Sequence, residues 1–273
     1  MAAAMITLPR RPFAATGKEV SVLGLGTVKF GRNQGVKYPG GDGFALPTDY
    51  EISGLLDLCL EHGINLIDTA PAYGTSEERL GQLMGSRRDE FFIVSKTGEE
   101  FVDGKSVYSF TAMHTRISIE RSLRRLNTDH LDCVLVHASK NDLDVIENTD
   151  VLATLSRLKD EGKLSSIGVS VYSLAAGRRA VDLTDAVMVA YNQRYLAEME
   201  IIDYAREHGK AVLIKKGLAS GHIGSVGALE ENIRFVLETP GVTSLVFGSI
   251  TPANILTNIQ AAKTVSTSGN TRT

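Results

Sequence analysis

The stretch INLIDTAPAYG, residues 64–74, decides how the chain is read. Ile64, Leu66 and Ile67 suit a buried strand, and Glu61-His62-Gly63 ahead of them reads as a helix stop. Asp68 therefore sits where a buried strand ends, and a short loop then delivers Tyr73 and Gly74. A carboxylate is costly to leave unpaired in such a place, so the sequence predicts a cationic partner from elsewhere in the chain.

Working outward, the same device of apolar strand followed by helix recurs. Strands are expected to end at Gly24-Leu25-Gly26 and Asp68, and to cover 91–94 (running into Ser95-Lys96-Thr97), 131–136 (ending at His137), 166–169 (running into Ser170), 186–190, 211–214 and 243–247. Helices are expected over 49–62, 76–84, 111–126, 150–161, 174–181, 199–208, 229–238 and 252–259. Thr48 can cap the first of these. In the 111–126 helix, Ile117, Ile119, Leu123 and Leu126 supply the apolar positions. Residues 11–17 can fold back as a hairpin, and 31–47 and 98–110 read as long loops. Tyr38 and Phe44, in the first loop, can wall a pocket.

Eight strand-then-helix units, with strands apolar on both faces, point to an α/β (β/α)8 TIM barrel with an N-terminal β-hairpin. A doubly wound sheet is the competing architecture. It wants a glycine-rich phosphate turn after its first strand, and Gly24-Leu25-Gly26-Thr27-Val28-Lys29 lacks the third glycine of that fingerprint. One domain over 1–263 is expected, with a small polar, frayed tail over 264–273.

With 273 residues and a net charge of −3, nothing suggests a surface for nucleic acid or another polyanion. Cys59 and Cys133 lie in apolar runs and read as reduced core residues of a cytoplasmic protein. The first residues have the wrong charge order for a secretory signal, and no apolar run is long enough to span a membrane. The expected partner is a small molecule, with no nucleic acid, membrane or metal. Oligomeric state is not legible.

In a barrel the carboxyl ends of the strands ring one mouth, where Asp68, Lys96 and His137 would meet, joined by Tyr73 from the loop after Asp68. Taken singly, each has a plain structural explanation: a capping Asp, a solvated Lys, a packed Tyr, a core His. Together on successive strands they suit proton donation to a carbonyl. A free phenol has a pKa of about 10, and a neighbouring ammonium favours its phenolate. Asp68 would hold Lys96 charged, and His137 would orient the carbonyl. None of the four supplies a hydride, which implies a nicotinamide cofactor.

These residues carry a specific resemblance. DTAPAYG at 68–74, SKT at 95–97, SLRRLNTDHLDCVLVH at 122–137 and IGVS at 167–170 are similar to the aldo-keto reductase family, in that family's order along nearly the whole chain. The resemblance implies NAD(P)H-dependent reduction of aldehydes or ketones by the tetrad Asp68, Tyr73, Lys96 and His137, with Tyr73 as proton donor. It also implies a cofactor site without a Rossmann fold, to which Gly26 and Thr27 belong. Ser170 and Gln193 match positions that hydrogen-bond the nicotinamide carboxamide, while the usual Asn after that Ser is Val171. The family's Tyr-Ser-Pro-Leu loop reads Lys215-Lys216-Gly217-Leu218, continued by Gly221 and His222. A Lys thus replaces the stacking aromatic, and both lysines are expected near the diphosphate. Gly248, Ser249 and Asn254 occupy the segment that meets the 2′-phosphate of NADP, and Asn258 matches the residue that holds adenine. NADP(H) is favoured by the resemblance and weakened by the lack of a basic residue at Gly248 and Asn254, which leaves NAD(H) open.

Two other functions fit the same residues: a barrel lyase with Lys96 as a Schiff-base amine, and a nicotinamide-binding sensor or regulatory subunit with little turnover. The short sequence after the last helix leads to the expectation of an open mouth and loosely selected substrates.

Overall fold

The computed structural model describes residues 8–36, 41, 43–218, 226–263 and 265. Tyr38, Gly221, His222 and the tail beyond Val265 lie outside them, so the expectations for those positions stay with the sequence. A hairpin comes first, β1 (Arg10–Pro12) against β2 (Glu19–Ser21), with Arg11 opposite Val20.

The chain then runs β3 (Leu23–Gly26), α1 (Val28–Gly31), α2 (Asp49–Glu61), β4 (Leu66–Asp68), a 3₁₀ turn (Pro71–Tyr73), α3 (Ser76–Met84) and β5 (Phe92–Thr97). It continues through β6 (Glu99–Val102), β7 (Lys105–Tyr108), α4 (Ala112–Arg125), β8 (Cys133–His137), α5 (Asp142–Asn148), α6 (Val151–Asp160) and β9 (Ile167–Ser170). The last part is α7 (Leu174–Leu183), β10 (Ala186–Ala190), α8 (Met199–Glu207), β11 (Ala211–Lys215), α9 (Val226–Glu238), β12 (Ser244–Gly248) and α10 (Pro252–Lys263). Strands β3, β4, β5, β8, β9, β10, β11 and β12 form a closed barrel, and each neighbouring pair is parallel. The eight-unit reading and the N-terminal hairpin are both borne out.

Strand side chains alternate between faces. One buried cluster fills the barrel interior: Leu66, Phe92, Val94, Cys133, Leu135, Ala186, Met188, Ala211 and Leu213, with Phe13 and Val20 of the hairpin. Phe13 and Phe92 meet with ring centroids 4.5 Å apart, so the hairpin closes the amino-terminal end of the barrel. Two residues further along each strand, the inward positions become Asp68, Lys96, His137, Ala190 and Lys215. The register sets Gly26 beside both Asp68 and Gly248, and His137 beside Ser170. The polar layer at the open end is thus the continuation of the apolar interior by strand periodicity.

Three local readings change. The stretch 98–110 is not a loop throughout: β6 and β7 pair antiparallel, with Glu99 opposite Tyr108. A helix, α5, lies between β8 and α6, where no element was expected. In α4 the buried face is Thr115, Ser118, Ile119 and Ser122, while Ile117 is 52% exposed. Small hydroxyl residues there let α4 approach α3, whose buried Glu77 accepts a hydrogen bond from Ser95 Oγ at 2.7 Å. Helix α2 has the expected cap: Thr48 accepts from the Glu51 N–H, and Glu51 accepts from the Thr48 N–H.

The loop that carries Tyr73 is fixed by a close approach. Gly74 has φ 63°, and a β-carbon on it would strike the carbonyl oxygen of Gly31 at the end of α1. A β-carbon on Gly31 would in turn strike the backbone of Tyr73 and Ser76. Gly74→Ala should therefore destabilise the protein by more than about 1 kcal/mol in urea unfolding, through both φ strain and collision. An unchanged midpoint would show that the loop yields freely.

Candidate active site

The four residues expected to meet do meet. Lys96 Nζ lies 2.6 Å from Asp68 Oδ1 and donates to the Thr69 carbonyl at 2.9 Å. Both side chains are buried, so the predicted cationic partner of Asp68 is Lys96. The same ammonium stands 4.8 Å from the centroid of the Tyr73 ring. The Tyr73 and His137 rings meet edge to face at 87°, with centroids 6.3 Å apart. A phenol is thereby held between an ammonium and an imidazole at the carboxyl ends of β4, β5 and β8.

The hairpin β6–β7 adds a residue the sequence reading missed. Glu99 Oε2 lies 2.9 Å from His137 Nδ1, while its other oxygen accepts from Ser106 Oγ at 2.5 Å. The Glu99 carboxylate faces the edge of the His137 ring at this distance without the angle of a formed hydrogen bond. Burial pushes the Glu99 carboxyl up, but His137, Ser106 and Arg32 together outweigh it and hold it at about 2. Burial lowers the pKa of His137, and the Lys96 and Lys215 charges add to this against the pull of Glu99. We take His137 as neutral near neutral pH, because burial and two ammoniums oppose its charge. Asp103-Gly104, both with positive φ between two alternating segments, was the sequence signal for this hairpin.

The remaining candidates line the same end. Ser170 is buried, and its hydroxyl accepts from Lys215 Nζ at 2.9 Å; that ammonium also donates to the Val171 carbonyl at 2.7 Å. Lys215 lies 4.2 Å from the Tyr172 ring centroid, and burial brings its pKa down to about 8. Both lysines were expected near the diphosphate, and the structure sets them differently. The strand parity of Lys215 turns it into the mouth, and only Lys216, with φ 55°, is exposed.

Asn192 Nδ2 holds the Lys216 carbonyl at 3.1 Å, and Asn232 holds that of Gly217. Leu218 packs on the core. Gln193 is exposed, and its backbone N–H donates to Asn232 at 3.1 Å. Gly26 and Gly248 stand side by side at the rim. Ser249 is mostly buried and accepts from the Thr251 N–H at 3.2 Å; Asn258 is buried and Asn254 exposed along α10. Thr27 is fully buried, and its hydroxyl donates to the Asp68 carbonyl and accepts from Ser76. Its side chain ties the end of the Asp68 strand to the start of α3.

Residues 22–225 match the sequence profile of the Aldo/keto reductase family. The chain belongs to this family. Among its members, the aldo-keto reductase YhdN of Bacillus subtilis is 31% identical over 231 residues, which is 81% of this chain and 65% of that protein. The D-arabinose 1-dehydrogenase of Saccharomyces cerevisiae is 32% identical over 136 residues, 47% of this chain and 38% of that protein. The chain thus spans less than two thirds of the length of either. A solved aldo-keto reductase from Pseudomonas aeruginosa is 46% identical, with a TM-score of 0.86 over 94% of this chain and 96% of that one. Another from Bacillus halodurans, in holo form, is 20% identical with a TM-score of 0.79 over 93% and 90%, and bears on the fold alone.

The Glu99 carboxyl is held below its ordinary value of 4.5, so its contribution to stability is present above about pH 4.5 and lost as pH falls toward about 2. Wild type should lose stability over that window more steeply than Glu99→Gln, as read from urea midpoints at a series of pH values. Parallel curves would remove the Glu99 contacts from the folded-state balance.

Proposed function

We propose that this chain reduces aldehyde or ketone carbonyls to alcohols with a reduced nicotinamide cofactor. The observation that carries the reading is the Lys96 ammonium set between the Asp68 carboxylate and the Tyr73 ring, with His137 at the ring's edge. When bound, the cofactor supplies the hydride. Tyr73 gives its proton to the carbonyl oxygen. The neighbouring ammonium offsets the negative charge that develops on the phenol oxygen, and Asp68 keeps that ammonium in place. His137 hydrogen-bonds and orients the carbonyl.

The residues along β9 to α10 fit such a cofactor chemically. Ser170, Gln193, Ser249, Asn254 and Asn258 offer uncharged hydroxyls and amides for a carboxamide, ribose and adenine. Lys216 offers an exposed charge for phosphate, with Gly217 and Leu218 shaping the same turn, and Gly26 and Gly248 leave the rim without side chains. Within this reading NADP(H) ranks ahead of NAD(H), supported by the family and by Ser249 at the start of α10. The absence of a basic side chain at Gly248 and Asn254 narrows that preference.

A cytoplasmic setting is supported by Cys59 and Cys133, which are free and buried. No described helix is long and apolar enough to cross a membrane. The Schiff-base reading of Lys96 is disfavoured by its ion pair, which holds the amine in its non-nucleophilic form. The sensor reading differs in turnover alone.

Purified protein mixed with NADPH and 4-nitrobenzaldehyde should deplete the nicotinamide absorbance. Tyr73→Phe should lower kcat by roughly 10²- to 10⁴-fold. Lys96→Met should have an effect of similar size. Near-normal turnover in either variant would overturn the role given to that residue, and cofactor binding without turnover in wild type would favour the sensor.

A further inference from the structure

The inward layer at the mouth holds two lysines, and among the described residues only Lys96 has a carboxylate partner. Lys96 has the Asp68 carboxylate at 2.6 Å. Lys215, one layer position on β11, bonds only to uncharged oxygens, Ser170 Oγ and the Val171 carbonyl, and forms no ion pair with a described carboxylate. Two carboxyls that act on it, Glu198 and Asp142, have other partners. Glu198 accepts from the Ala190 N–H at 2.7 Å and from the Tyr195 hydroxyl at 3.2 Å, and burial raises its pKa. Asp142 accepts from the N–H groups of Tyr172 and Ser173 and from the Ser173 hydroxyl.

This positive charge reaches the chemistry: Lys215 Nζ is bonded to Ser170 Oγ, and Ser170 stands beside His137 in the β8–β9 register. A ring that hands hydride to a carbonyl must lie within roughly 3–3.5 Å of it. If that carbonyl is held by Tyr73 and His137, the ring stands in the field of Lys215. The oxidised nicotinamide ring carries one positive charge and the reduced ring carries none. The phosphates are common to both forms, so any difference in affinity isolates the ring.

We propose that Lys215 makes the mouth discriminate between the redox forms of the cofactor, favouring the uncharged reduced nicotinamide and repelling the cationic oxidised one. This rests on the reductase reading above. It eases release of the oxidised cofactor and limits its competition with the reduced form.

The discrimination has a built-in pH dependence. Burial sets the Lys215 ammonium at about 8, against the pull of Glu198 and Asp142 and with the push of Lys216 and Lys96. The Tyr172 phenol over which it lies is half-exposed and pushed up to about 12 by partial burial together with Tyr108, Glu99, Asp142 and Glu198, and His137 titrates below its usual range, so neither changes charge across the same window. Above about 9 the amine is neutral and the repulsion is gone.

The test is calorimetric titration of the full chain with NADPH and with NADP⁺, at about pH 7 and about pH 9.5, on wild type, Lys215→Met and Lys215→Arg. In wild type the ratio of the oxidised to the reduced Kd should be about tenfold or more higher at the lower pH than at the higher. In Lys215→Met the ratio should be low and flat with pH. In Lys215→Arg it should stay high at both, because a guanidinium keeps its charge. A wild-type ratio unaffected by pH and unchanged in Lys215→Met would overturn the inference while leaving the reductase reading intact. Failure of wild type to bind either form would overturn the reductase reading and this inference with it. If Lys215→Met does not fold, Lys215→Arg decides, because Tyr73 beside Lys96 also loses a proton at high pH: a ratio that falls with pH in Lys215→Arg as it does in wild type sinks the inference.

Discussion

The buried ion pair between Asp68 and Lys96 is the constraint on which the rest of the site depends. Two charges are taken out of water at the end of a barrel whose interior is otherwise apolar. Removing one partner of such a pair costs roughly 3–5 kcal/mol, because the other is left charged and unpaired. The pair is tolerable because the ammonium also donates to the Thr69 carbonyl. What that arrangement holds is a positive charge at fixed height beside a phenol. The loop bearing the phenol is clamped by the contact of Gly74 with Gly31.

The barrel explains why residues from distant parts of the chain converge. Parallel strands with period-two side chains carry the interior column Leu66, Val94, Leu135 and Leu213 straight up to Asp68, Lys96, His137 and Lys215. Changing the parity of any of these strands would exchange a site residue for a helix-facing one. The hairpin with Phe13 closes the opposite end, so the polar layer has one opening.

Much of this was legible. Apolar runs ending in Asp68, Lys96 and His137 announced both the strands and the site, because burial on both faces leaves few readings other than a parallel barrel. The partner of Asp68 followed from the cost of an unpaired buried charge. The misses have physical causes. Glu99 was hidden in a stretch judged by its polarity, although Asp103-Gly104 is the turn that sets a two-residue hairpin. The buried face of α4 was assigned by hydrophobicity, yet close packing against α3 selected Ser118 and Ser122 and left Ile117 in solvent. Lys215 was placed from the register of a family loop, and strand parity is what turns it inward.

The central claim is that a hydride passes to a carbonyl held at Tyr73 and His137. It is tested most directly by following the hydrogen itself. Purified protein is given 4-nitrobenzaldehyde and NADPH carrying deuterium at the transferable position of nicotinamide C4, and the product is examined by NMR. The account predicts 4-nitrobenzyl alcohol with one deuterium on its benzylic carbon. Recovery of unchanged aldehyde, or of alcohol without deuterium, would contradict it.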